Sequence, residues 1–219
     1  MKESILSIAR FMKEGGPWMW PILFTGLGSI AIWVERFYAI RIRYHVNADN
    51  LMGDVRKALV VGDFNLAVQA CQKHAKSALA FVLMSGIKKG SSASKEELEN
   101  AIDEAAMEIG PQMQKRLSYL PMISQISTLL GLLGTIQGMI GAFSGLTAAD
   151  PSQRSTMLAR AISEALNCTA FGLIVAIPNL VVFSYFQSSV ARIVNGIELY
   201  SAKLINLIFE LKGPVKKEN

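Results

Sequence analysis

Charge is what this chain has least of. Asp, Glu, Lys and Arg make up 18% of its 219 residues, where a soluble domain carries roughly 25%. Cysteine is almost absent. Cys71 and Cys168 lie far apart, one in a polar segment and one in an apolar run, so no disulfide framework follows. There are two histidines. His45 lies near the end of an apolar stretch and reads as solvated. Cys71 and His74 are spaced i, i+3 on a predicted helix, and two ligands are too few for a structural zinc site. There is no P-loop lysine pattern, no HExxH and no Ser/His/Asp set. These absences leave no enzyme class with a catalytic constellation and no cofactor or metal to expect. Strand alternation, low-complexity tracts and internal repeats are missing too.

What is present is apolar and concentrated. Three long stretches carry no charge: Gly15–Val34, Leu117–Ala149 and Ala165–Ala191. About 20 apolar residues suffice for a helix to cross the hydrocarbon core, and each stretch reaches that length. The fold class expected is therefore an all-α integral membrane protein with three transmembrane helices and a cytoplasmic helical bundle. The first stretch is too long for a signal-peptide core and runs into Glu35-Arg36 without a small-residue cleavage site. It is expected to remain as an anchor.

The net charge of +5 suits a positive-inside bias better than nucleic-acid binding. Arg36, Arg41 and Arg43 follow the first stretch, Lys115 and Arg116 precede the second, and Arg192 and Lys203 follow the third. These put the long middle segment and the C-terminal tail in the cytoplasm. The connector between the second and third stretches sets only Arg154 and Arg160 against Asp150 and Glu164, and belongs outside. Lys2, Arg10 and Lys13 oppose this orientation but are outnumbered.

The predicted organisation follows in chain order. Residues 1–16 form an amphipathic N-terminal segment, with Ile5, Ile8 and Met12 on one face of an interfacial helix over 3–13. A first transmembrane helix spans 17–40, with Trp18 and Trp20 at its aromatic belt. A cytoplasmic helical domain covers 41–120, broken at Gly62-Asp63, where Asp63 is a plausible N-cap, and at Gly90-Ser91-Ser92. Ser94-Lys95-Glu96-Glu97 reads as a capping box. Leu98, Ile102, Ala105, Ile109 and Met113 then keep helical spacing, and Gly110-Pro111 is the expected kink. The acids between Glu96 and Glu108 read as a solvated face, or as a docking surface for a cytoplasmic regulator. A second transmembrane helix spans 121–146, a short outer loop 147–163, a third transmembrane helix 164–191, and a cytoplasmic C-terminal helix and tail 192–219. Glu35-Arg36 is read either as a partner-docking pair or as an interfacial ion pair that anchors the first helix.

The second and third stretches share a design. Gly131, Gly134, Gly138, Gly141 and Gly145 are spaced 3, 4, 3, 4, a seam along one side of a helix. Ser124, Thr128, Gly131, Thr135, Gly138 and Ala142 fall within about 80° of one another at 100° per residue. In the third stretch Ala165, Thr169, Gly172, Ala176 and Asn179 are spaced 4, 3, 4, 3. Two narrow faces of small residues thus each carry a threonine. Such seams serve close helix packing or line an ion path, and periodicity alone leaves both open. No Asp, Glu, Lys, Arg or His lies within either stretch. A titrating carboxylate, the usual mark of an intramembrane proton relay, must be Glu164 at the outer edge or come from another chain.

At these residues the chain resembles the ExbB/TolQ/MotA type of proton channel. The run from Gly131 through Thr135 and Gln137 to Ile140, with Ala142-Phe143, is similar to that family's second-span motif. Ala161 to Leu166, then Thr169 to Pro178, is similar to its third-span motif. Gly16-Pro17, Trp20-Pro21 and Val34-Glu35-Arg36 resemble the first-span pattern. The likeness runs in order from about residue 15 to 195, and three spans favour the ExbB/TolQ branch. It implies an ion-conducting subunit of a proton-motive-force-driven motor in the bacterial inner membrane, energising envelope transport or a related process. The N-terminus would be periplasmic and the C-terminus cytoplasmic. It further implies a homopentameric ring around an ExbD- or TolR-like single-span partner that brings a membrane aspartate, with a TonB- or TolA-like effector beyond. Thr135 and Thr169 match the family's pore threonines and Glu164 its motif glutamate. Asn167-Cys168 and Gln137 depart from the pattern. A sodium-driven relative and a non-conducting scaffold subunit are the alternatives.

Overall fold

The computed structural model describes residues 11–12, 15–40, 46–90, 93–148 and 150–212. Apart from Phe11 and Met12, the expected amphipathic helix over 3–13 lies outside the described residues, as do Arg41, Arg43, His45 and Ser91-Ser92. Among the described residues there is no strand. The helices are α1 (Met19–Tyr38), α2 (Ala48–Val60), α3 (Phe64–Gln72), α4 (Ala78–Lys88), α5 (Lys95–Gln114), α6 (Tyr119–Ala148) and α7 (Arg154–Lys212). Helix ends and membrane ends are set by different forces. The outer loop expected over 147–163 has α7 under way from Arg154, and the C-terminal helix expected from 192 is the same α7 continued.

The chain divides into two compact units. The first takes Met1–Val34 and Arg116–Tyr185, so it holds most of α1, all of α6 and the first half of α7. Its helices meet through small and hydroxylic residues. Ser124 Oγ donates to the Ala176 carbonyl at 2.8 Å, the Thr25 and Ser127 hydroxyls lie 3.1 Å apart, and the Trp33 indole N–H donates to Asn179 Oδ1 at 3.0 Å. Ser127 is fully buried and Asn179 1% exposed. The outside of this unit is greasy instead. Phe24, Ile140, Leu166, Ile174 and Val181 are all about 60% exposed or more. Polar contacts inside and apolar side chains outside are what a lipid solvent demands. Two helical stretches, ending in α6 and α7, are long and apolar enough to cross a membrane, and only 17% and 22% of their apolar windows are buried. The core helix of a soluble protein would be mostly buried.

The second unit takes Glu35–Lys115 and Phe186–Asn219. Helices α2 to α5 pack in sequence, each on the next. Their starts are locally encoded. Asn47, Asp63, Ser77 and Ser94 each cap the N-terminus of the helix that follows, satisfying backbone donors that helix geometry leaves free. Ser94 and Glu97 form the reciprocal capping box. Gly62 and Gly90 have positive φ angles of 80° and 75°, conformations open to glycine at no steric cost. Leu98, Ala101, Ile102, Ala105, Ile109 and Met113 are the buried face of α5. Helix α5 passes through Pro111 and stops at Gln114. The break before α6 falls at Arg116, whose φ is +64°. The far half of α7 adds Ile197, Leu204 and Ile208 to this core, and Tyr200 Oη donates to Asp49 Oδ1 at 2.5 Å. Arg36 is 5% exposed and its Nη2 donates to Glu35 Oε1 at 2.8 Å, an ion pair made with the sequence neighbour.

Candidate ion-conducting site

The seam glycines separate into kinds that spacing cannot tell apart. A Cβ on Gly172 would lie 2.6 Å from the Ser127 carbonyl oxygen, and one on Gly131 would lie 3.2 Å from Thr169 Cα. Here α6 and α7 touch backbone to backbone. A Cβ on Gly138 would stand 3.1 Å from that of Ala165, and one on Gly134 would collide with Cys168 Sγ. A Cβ on Gly145 would lie 3.5 Å from the Met157 methyl, and one on Gly141 would meet open space. Ala176 is 3% exposed and packed like Ala165. Asn179 is fully engaged, accepting from Trp33 and donating Nδ2 to the Val175 carbonyl at 2.8 Å.

Each threonine spends its proton on a backbone carbonyl. Thr135 Oγ1 donates to Leu132 within α6 at 2.6 Å. Thr169 Oγ1 donates across to the Gly131 carbonyl at 3.0 Å, which ties α7 to α6. A hydroxyl with its proton committed retains its oxygen lone pairs. Both groups therefore face any further partner as acceptors.

Glu164 sits elsewhere. It lines a cavity of about 280 Å³ bounded by Gly15, Pro17 and Trp18, by Gly134, Gln137, Gly138, Gly141 and Ala142 of α6, and by Met157 and Ala161 of α7. Its carboxylate lies against Gly16, where a Cβ would collide with Oε1 and where φ is +79°. Glycine serves there on both counts. Neither Thr135 nor Thr169 lines this cavity, so one chain alone does not gather the three expected residues. The turn at Gly15–Trp18 is the wall that sequence reasoning missed. The Trp18 indole N–H donates to Gln137 Oε1. Trp18 reads as a belt residue from sequence and Gln137 as a departure from the motif. The missed signal was that both are polar groups in an apolar segment, each in need of a partner. Among the described residues no group of three His, Cys, Asp or Glu could hold a metal.

A bundle with polar seams inside and lipid-suited side chains outside defines a helical membrane protein. The comparisons narrow that class: the chain belongs to the MotA/TolQ/ExbB proton channel family, whose model matches residues 74–199, from just before α4 well into α7. It is 31% identical to an ExbB-like biopolymer transport protein of Synechocystis over 183 residues, covering 82% of this chain and 70% of that one. It is 27% identical to biopolymer transport protein exbB1 of Vibrio cholerae over 179 residues, covering 78% and 75%. With biopolymer transport protein ExbB of Salmonella typhimurium the identity is 34% over 82 residues, 37% of this chain. That match spans about a third of the Salmonella protein's length, 33%.

Proposed function

We propose that this chain is the ion-conducting subunit of a proton-motive-force-driven motor in the inner membrane, with α1, α6 and α7 as its three spans. The membrane-embedded spans are 17–40, 121–146 and 164–191, with the N-terminus periplasmic and the C-terminus cytoplasmic. Several copies form a ring, five by resemblance. An ExbD- or TolR-like partner contributes a membrane aspartate, and a TonB- or TolA-like effector receives the motion. The supporting observation is the charge-free packing of α7 on α6, where Thr169 bonds across to Gly131, with Thr135 on α6 and Glu164 in a cavity beside it. A carboxylate brought into an apolar pore is costly when ionised, so it exchanges protons readily. The threonine oxygens accept a hydrogen bond from its protonated form. One elementary charge falling through 100 mV releases about 2.3 kcal/mol, and that energy moves ring against partner.

A scaffold reading has its own support, since the Thr169 bond and the Gly131–Gly172 contact hold two helices together. Substitution separates the two readings. For a conducting subunit, Thr135→Val and Thr169→Val stop proton flux while the oligomer keeps its mass, and Thr169→Ser, which retains the hydroxyl, conducts. For a scaffold, flux never depends on either threonine, and only Gly138→Leu, which drives a large side chain at Ala165, breaks the assembly. Proton flux unchanged in both valine variants excludes the threonine assignment.

A further inference from the structure

We propose that the Trp18–Gln137 pair sets the ion specificity of the Glu164 cavity, favouring protons carried on water over sodium. The inference rests on the conducting reading above and adds to it. An indole nitrogen is a donor only, whereas an amide offers an oxygen acceptor at one end and two N–H donors at the other. The bond between Trp18 Nε1 and Gln137 therefore requires the amide oxygen at the ring. The end of Gln137 left to the cavity is the NH₂ group.

Glu164 lines the same cavity, and its carboxylate has no hydrogen-bond or ion-pair partner among the described residues. A sodium ion that sheds water needs several oxygen ligands in its place, and selectivity in such sites comes from the donors and acceptors that line them. Here the carboxylate supplies two. Gln137, the other polar side chain among the described residues that line the space, presents positive N–H dipoles that repel a bare cation. The rest of the described wall is glycine, alanine, proline, methionine and an indole ring. A proton asks for less. It needs one carboxylate oxygen and a chain of water, and about 280 Å³ accommodates several waters at about 30 Å³ each.

Releasing or replacing the amide should change the ion. Trp18→Phe keeps an aromatic side chain and removes the N–H, so Gln137 can turn its oxygen toward Glu164. Gln137→Glu leaves one oxygen on Trp18 and sets another where the NH₂ stood. Each should raise the ratio of sodium flux to proton flux by roughly tenfold, the scale of one gained polar contact. Trp18→Phe combined with Gln137→Leu should return sodium flux to background, because no oxygen is left to turn. A merely structural role for Trp18 gives no such reversal.

The test uses the full chain with its co-expressed single-span partner in liposomes under an imposed potential. Proton entry is read in choline chloride and sodium entry in sodium chloride, with oligomer mass checked for each variant. Support is proton flux without sodium flux in the wild type, sodium flux in the two single variants and its loss in the double variant. Proton-conducting complexes in which neither single variant raises the ratio overturn the proposal, as does sodium flux in the wild type equal to proton flux. A wild-type complex that passes neither ion removes the conducting reading, and this one with it.

Discussion

Gly172 and Gly141 are both helical glycines in lipid-suited helices, and they should respond to the same substitution in opposite ways. Alanine at 172 puts a methyl 2.6 Å from the Ser127 carbonyl oxygen, and at 141 it meets nothing within 4 Å. Overpacking of this kind costs about 1–3 kcal/mol, while glycine to alanine in an open helical position gains up to about 1 kcal/mol. Thermal unfolding in detergent should show Gly172→Ala destabilised and Gly141→Ala unchanged or slightly stabilised. The 3, 4, 3, 4 spacing identified the face that carries these glycines. It could not say which of them meets a neighbour, because that depends on where α7 crosses. The same limit applies to Thr169. Its face follows from periodicity, but its choice of the Gly131 carbonyl follows from the helix crossing. Trp18 and Gln137 are 119 residues apart, and no local pattern pairs them.

Among the elements, two helix starts of the second unit, those capped by Asp63 and Ser94, were legible and one helix end was not. A capping box acts within four residues, so Ser94 and Glu97 announce α5 in the sequence and form it in the structure. Ser94→Ala should lower the stability of this unit by about 1 kcal/mol, measured by denaturant titration. The break between α5 and α6 carries no such signal. It rests on Arg116 at φ +64°, a conformation any sequence rule assigns to glycine or asparagine first. Buried chemistry in this unit also gives a pH dependence. Burial pushes the Cys71 thiol up from 9.0 to about 11. The unfolded thiol ionises near 9 while the folded one keeps its proton, so stability is unaffected below pH 9 and falls as the pH rises to about 11. Each pH unit in that window costs about 1.4 kcal/mol. Melting temperature should drop across it, and Cys71→Ser should remove this component. At pH 8 the folded thiol should resist alkylating reagents that label the unfolded chain.

For the whole molecule, the apolar exterior of α6 and α7 and the membership of a proton channel family agree on a protein that works in a membrane. The membrane character was legible because three charge-free stretches stand out in any composition. The path of an ion was not, because a single chain brings Glu164 to a cavity that neither threonine reaches. In the proposed ring, a carboxylate supplied by another chain closes that gap. The most direct measurement is proton flux into liposomes holding this chain and its partner, for the wild type, for Glu164→Gln, and for the partner's membrane aspartate changed to asparagine. Conduction by the wild-type complex, lost in both variants at unchanged oligomer mass, is the outcome expected of a shared proton path. An intact complex that conducts no protons, or one whose flux ignores both carboxylates, contradicts it.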